Sequence, residues 1–366
     1  MAVPFLNIAP QHEAIRAEVL AAVAAVYDGG WYVLGAAVEA FERTYAAQTG
    51  VAHCIGVGNG LDALTLSLRA LGVGPGDEVI VPSNTYVATW LAASHIGARP
   101  VPVEPDPLTY TLDPARVAAA ITPRTRALLP VHLYGQACPM DALLALAAHH
   151  DLRVVEDNAQ AHGAAWAGRA TGSFGHANAT SFYPTKNLGA LGDAGAITTH
   201  DPALARRLRS LRNYGTEQKY ISEEAGVNSR LDELHAAVLN VKLRYLAEWT
   251  AQRRQIAAWY DAALSGVGDV VRPATAPGAT HVYHLYAIRT ARRDALQAHL
   301  TRAGIGTLVH YPVPPHRQPA YAHLGYGPGA LPIAEELSAT SLSLPLWPGM
   351  TADHVAEVAA AIRAFF

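Results

Sequence analysis

The chain has 366 residues, which at roughly 150 residues per domain suggests about two domains with room for a sizeable core. Hydrophobic residues make up 51% and charged residues 16%, and 30 Gly and 24 Pro are spread along the chain, so the composition is that of a globular protein, not a disordered one. Lys and Arg total 27 against 30 Asp and Glu, a formal net charge of -3 with no basic block, which argues against a nucleic-acid partner.

Met1 to Arg16 carries no basic stretch followed by an apolar run, and every long apolar stretch is broken by Asp, Glu, His or Arg, so no membrane contact and a cytoplasmic location are expected. The two cysteines, Cys54 and Cys138, cannot build a disulfide framework and fit a reducing compartment. Residues 13–27, with Ile15, Val19, Val23 and Val26 on one face and Gly29-Gly30 behind them, predict an amphipathic helix. Short β-branched runs then alternate with helical stretches: 54–57 with 61–71, 78–81 with 87–95, and 127–131 with 140–149. That alternation predicts parallel strands with crossover helices. Further strands are expected at 152–156, 179–182 and 196–199, with a helix over 202–212 and a sheet of about six or seven strands.

Residues 231–264 keep a helical pattern with Lys242, Arg244, Arg253 and Arg254 on its polar positions. The domain boundary is placed inside it, giving a large domain 1–245 and a smaller C-terminal α+β domain 246–366. The latter reads as strand 282–288, helix 293–303, strand 307–310 and a closing helix 352–366 with Thr351 as N-cap.

Chemistry needing a primary amine has only three candidates, Lys186, Lys219 and Lys242. Lys186 stands out, because S-F-Y-P-T-K-N-L-G-A-L-G-D-A-G (181–195) ends a strand at Pro184 and sets the lysine in a glycine-rich loop, held by rigid backbone yet reachable. In V-V-E-D-N-A-Q-A-H-G (154–163), apolar strand residues give way to Asp157 and then Gln160, and ligands of open α/β sheets bind beyond the carboxyl ends of strands. An acid there, opposite a reactive lysine, suits pyridoxal 5'-phosphate, whose ring nitrogen must stay protonated to accept electrons, with Gln160 donating to the ring oxygen. Taken alone, Asp157 reads equally well as a helix N-cap or a metal ligand. In I-G-V-G-N-G-L-D-A-L (55–64) a strand runs through Gly56, Gly58 and Gly60 into a helix, a backbone anion site. As a dinucleotide fingerprint it fails, since the third glycine comes one residue early and the acids Asp77 and Glu78 precede the next strand instead of ending it.

Together these segments resemble the DegT/DnrJ/EryC1/StrS group of pyridoxal-phosphate sugar aminotransferases. The resemblance runs through V-P-F-L-N (3–7), V-P-S-N-T-Y-V-A-T (81–89), V-N-S-R-L-D-E-L-H-A-A (227–237) and H-Y-P-V-P-P-H (310–316). It implies an α/β fold of the aspartate-aminotransferase type (type I), a homodimer with sites at its interface, and glutamate as amino donor. Carried over, Lys186 resembles the Schiff-base lysine, Asp157 the pyridinium partner, Gln160 the partner of the ring hydroxyl and Tyr86 the residue stacked on the ring. Gly60, Leu61 and Ser181 resemble the phosphate-binding positions, and Asn228 the asparagine that reaches the phosphate from the other subunit. Many members read S-G-T where this chain has Asn59-Gly60-Leu61, so a hydroxyl donor is missing and the Leu61 N–H must serve.

The same departure makes the chain look most like the branch acting on dTDP-3-keto-6-deoxyhexoses, with Tyr183, His310 and Tyr311 near the sugar or its diphosphate. The alternatives are a 4-keto-sugar aminotransferase with a dTDP- or GDP-linked substrate, a sugar dehydratase of the same group, which has histidine in place of Lys186, and a non-catalytic sensor. No metal site is expected: His281 with His284, and His149 with His150, lack further ligands at metal spacing.

Overall fold

Seven short runs, mostly of β-branched and small apolar residues, assemble into one sheet: β1 His53–Val57, β2 Glu78–Pro82, β3 Arg99–Val103, β4 Thr125–Leu128, β5 Arg153–Asp157, β6 Ala177–Ser181 and β7 Gly195–Thr199. In the computed structural model, which describes residues 2–218 and 220–366, their order is β1-β7-β6-β5-β4-β2-β3. β7 runs antiparallel to both neighbours, and the other pairs are parallel. Burial on both faces explains why β2 and β7 are buried at every position instead of alternating. The parallel strands send their carboxyl ends to one edge, where β5 ends at Asp157 and β6 at Ser181.

The crossover helices Gly60–Ala70, Val87–His95 and Met140–His149 fall where the periodicity puts them. The edge strand β3 was hidden because its sequence, R-P-V-P-V, carries two prolines that an interior strand could not accommodate. Also unforeseen are the helices Ala36–Thr49, Pro114–Ala120 and Pro332–Thr340. The expected helix over 13–27 is two, Ala9–Ala14 and Arg16–Gly29, with buried Ile15 at the joint.

The helical pattern over 231–264 also divides, into Glu233–Leu243 and Leu246–Ala263. Two of its basic residues are not on solvated positions: Lys242 and Arg253 are buried, Lys242 donating to the Gly189 carbonyl at 2.7 Å and Arg253 to the Tyr283 carbonyl at 3.2 Å. A second core gathers Tyr260, Tyr286, Leu300 and Ile362 with Val3. Val3 joins it through backbone bonds with Gly304 (3.0 Å) and Gly306 (2.8 Å). Here β8 Tyr286–Arg289 pairs antiparallel with β9 Ser341–Leu344. The strand expected at 307–310 is absent; Leu308 makes a single bridge to Ser343, and the prolines at 312, 314 and 315 remove the donors a longer ladder needs. The closing helix Ala352–Phe365 starts at Thr351, whose side chain caps the His354 N–H. Among the described residues no helix is long and apolar enough to cross a membrane.

Candidate active site

At the carboxyl edge of the sheet, Asp157 and Lys186 line one cavity of about 650 Å³. Asp157 is buried, and its carboxylate accepts from Thr89 Oγ1 at 3.0 Å and from the Ala159 N–H at 3.1 Å. Burial raises its pKa, opposed by those two donors and by the Lys186 ammonium. Lys186 is half-buried, and desolvation of its amine brings it down to about 8 despite the opposing pull of Asp157. Thr89 was not singled out from sequence; its signal was its place one helical turn after Tyr86 at the start of Val87–His95.

In the wall of the same cavity the chain makes a backbone cradle. Gly60 opens the helix Gly60–Ala70, and Asn59 caps it by accepting from the Asp62 N–H at 2.8 Å. A Cβ on Gly60 would lie 2.7 Å from that of Ser181, and one on Gly195 would lie 2.4 Å from the Asn59 carbonyl oxygen, so only glycine lets these loops close. Gly60, Leu61 and Ser181 line the cavity there, where the first N–H groups of a helix have no intrahelical acceptor. A phosphate fits such a place.

Tyr86, Gln160, Tyr183, His310 and Tyr311 also line the cavity. The Tyr86 ring lies 5.2 Å from that of Tyr311. Both ends of the Gln160 amide are engaged: Oε1 accepts from the Tyr134 N–H at 2.6 Å, and Nε2 donates to the Tyr311 hydroxyl at 3.0 Å. One N–H of Nε2 is left over. His310 pairs through Nδ1 with Ser343 Oγ at 2.9 Å, and burial, reinforced by the Lys186 charge, holds its pKa at about 4.

Asn228 is not among the residues lining this cavity; it is exposed and forms an isolated antiparallel bridge with Asn213. His284, read from sequence only in the setting of a metal pair, is a cavity residue, its Nδ1 3.2 Å from Asn187 Oδ1. His281 instead stacks on Tyr283 at 4.0 Å. His316 pairs with Glu335 at 3.0 Å. Among the described residues no three His, Cys, Asp or Glu side chains converge on a metal position.

The family model described as DegT/DnrJ/EryC1/StrS aminotransferase matches residues 13–363. The chain is 53% identical over 364 residues to a Saccharopolyspora erythraea protein named erythromycin biosynthesis sensory transduction protein EryC1, covering 100% of both. It is also 53% identical over 361 residues to a Streptomyces venezuelae dTDP-3-amino-3,4,6-trideoxy-alpha-D-glucose transaminase, covering 99% of this chain and 95% of the relative. Among solved structures, S. venezuelae DesV in complex with a ketimine intermediate matches with a TM-score of 0.97 and 53% identity, over 99% of this chain and 98% of that one.

Proposed function

Because the chain belongs to the DegT/DnrJ/EryC1/StrS aminotransferase family, we propose that it transfers the amino group of L-glutamate to C3 of a dTDP-linked 3-keto-6-deoxyhexose, a step in deoxyaminosugar biosynthesis. The protein is an aminotransferase and its cofactor is pyridoxal 5'-phosphate. The observation that carries the reading is the meeting of Lys186, Asp157 and the Gly60–Ser181 cradle in one cavity. Identity of 53% to a dTDP-amino-sugar transaminase over nearly the full length supports the substrate class.

When bound, the cofactor supplies a protonated pyridine ring that withdraws electrons from the donor's α-carbon. Asp157 holds the proton on the ring nitrogen, its carboxylate fixed by Thr89 and the Ala159 N–H. Gly60, Leu61 and Ser181 would hold the phosphate, Tyr86 would stack on the ring, and the remaining N–H of Gln160 would donate to the ring oxygen. Lys186 would anchor the cofactor, and its free amine would move the proton between the donor Cα and cofactor C4′. With its pKa at about 8, an appreciable share of the free amine is unprotonated near neutrality, as a base requires. Tyr183, His310 and Tyr311 face the sugar, His310 as a neutral imidazole.

Purified enzyme given L-glutamate and a panel of dTDP- and GDP-linked 3-keto and 4-keto sugars is expected to form one amino sugar with nitrogen at C3, located by NMR. Nitrogen at C4 overturns the regiochemistry. The regulatory name of the S. erythraea relative keeps a sensor in view, and turnover in the same assay excludes a pure sensor. A histidine stands at position 186 in the dehydratases of this group, and the lysine here favours transfer over dehydration.

The enzyme works in the cytoplasm as a homodimer in which Asn228 reaches the partner's cofactor phosphate. Its exposure outside the cavity of its own chain supports this, as do the exposed Tyr27, Trp31, Tyr32 and Val33. Asn228→Asp then sets a carboxylate beside a phosphate and weakens cofactor binding by like-charge repulsion. Mixed with inactive Lys186→Ala, it yields hybrid dimers with one doubly damaged and one native site, about a quarter of all sites native after random reassortment. Co-refolding the two variants with cofactor is expected to restore activity in that proportion. No recovery, with hybrids verified by mass, places Asn228 in its own site or outside any.

A further inference from the structure

Tyr134 is buried, and it is not a lining residue of the cavity, yet it touches the cavity wall from two sides. Its N–H donates to Gln160 Oε1 at 2.6 Å, on the cofactor side. Its hydroxyl donates to the carbonyl oxygen of His310, on the segment from the C-terminal part of the chain. Its own carbonyl accepts from the Leu285 N–H at 3.3 Å. Gln160 in turn donates to the Tyr311 hydroxyl at 3.0 Å. Tyr134, Gln160, Tyr311 and His310 therefore close a ring of contacts joining the end of β5 to the 310–311 segment.

The local backbone is built to hold this position. Tyr134 has φ 59° and Gly135 φ 103°, and a Cβ on Gly135 would lie 2.9 Å from Val282 Cγ2 and 3.1 Å from the Gln160 carbonyl oxygen. Only glycine fits there, and the tight loop it permits brings the Tyr134 N–H under Gln160. The Tyr134 ring meets Tyr110 edge-on at 5.6 Å, which fixes the direction of the hydroxyl independently of the His310 bond.

We propose that Tyr134 is a positioning residue for the sugar: its hydroxyl sets the distance of His310 and Tyr311 from Gln160, and so the fit of the keto sugar but not of the amino donor or the cofactor. This rests on the reading that His310 and Tyr311 face the sugar. Tyr134→Phe keeps the ring, the loop and the bond to Gln160, and removes one donor from a part-buried carbonyl.

The two half reactions separate the effects. In Tyr134→Phe holoenzyme the cofactor absorbance change with L-glutamate alone is expected to keep its wild-type rate, while KM for the keto sugar rises roughly five- to 150-fold, the range for stranding one acceptor. A sugar KM within twofold of wild type, or equal losses in both half reactions, overturns the proposal. Tyr311→Phe distinguishes the two ways of failing. If it raises the sugar KM and Tyr134→Phe does not, the tie is wrong and the site reading stands; if neither does, the site reading itself is wrong. In the double variant the effects are expected to fall well short of additive, because both act through one segment, and full additivity also counts against the tie.

Discussion

Lys186→Ala is expected to lower turnover by roughly four orders of magnitude or more, because in the proposed function one amine would both anchor the cofactor and move the proton between donor and cofactor. No neighbour can substitute. Asp157 is an acid, and burial, the leading cause of the lowered pKa of both His310 and His162, persists when the Lys186 charge is removed, so the nearby imidazoles stay weak bases. Lys242 is buried with its amine committed to the Gly189 carbonyl at 2.7 Å and to His12 Nε2 at 3.1 Å. Lys242→Ala therefore leaves the covalent linkage to the cofactor intact, and so does Lys219→Ala, although Lys219 lies outside the described residues. Borohydride reduction followed by peptide mass mapping checks this: the cofactor mass belongs on the peptide containing Lys186. Finding it on a peptide containing Lys219 or Lys242 refutes the assignment.

What could be read in the sequence was local. Asp157, Ser181 and Gly60 sit at strand ends or helix starts, where a few consecutive residues determine both the backbone and the chemistry, and the structure brings all three to one cavity. The identity of the cofactor owed more to family resemblance than to periodicity, since an acid at a strand end also suits a cap or a metal. Thr89, His284 and Tyr134 stayed hidden because their contacts are set by how distant segments pack: Thr89 reaches Asp157 across 68 positions, and Tyr134 reaches His310 across 176. Lys242 misled because helical periodicity marks a lysine as solvent-facing, whereas a long side chain can carry its charge to a buried carbonyl. β3 misled through its prolines, which an edge strand tolerates.

Asp157→Ala is the second severe lesion, and its signature differs from that of Lys186→Ala. The carboxylate is buried, and among the described residues its hydrogen-bond donors are Thr89 Oγ1 and the Ala159 N–H, so its charge would act strongly on a ring nitrogen held beside it. Burial alone pushes the Asp157 pKa up, but a protonated ring nitrogen is an opposite charge that favours the ionised acid, and the acid favours the protonated ring in equal measure. Removing it lowers the ring nitrogen's pKa by about 1–3 units, the span for loss of one close opposite charge, so at neutral pH the protonated fraction falls by up to roughly a thousandfold. Asp157→Asn loses the charge and keeps one of the two acceptor oxygens that Thr89 and the Ala159 N–H use, and is expected to match Asp157→Ala in rate while folding better. The phosphate cradle at Gly60 and Ser181 is untouched in both, so cofactor retention on dialysis is expected to weaken far less than kcat. The decisive comparison is kcat at saturating donor and sugar against cofactor content. Full activity in Asp157→Ala removes this account of the electron sink, and a loss of activity that tracks loss of cofactor reduces Asp157 to a binding residue.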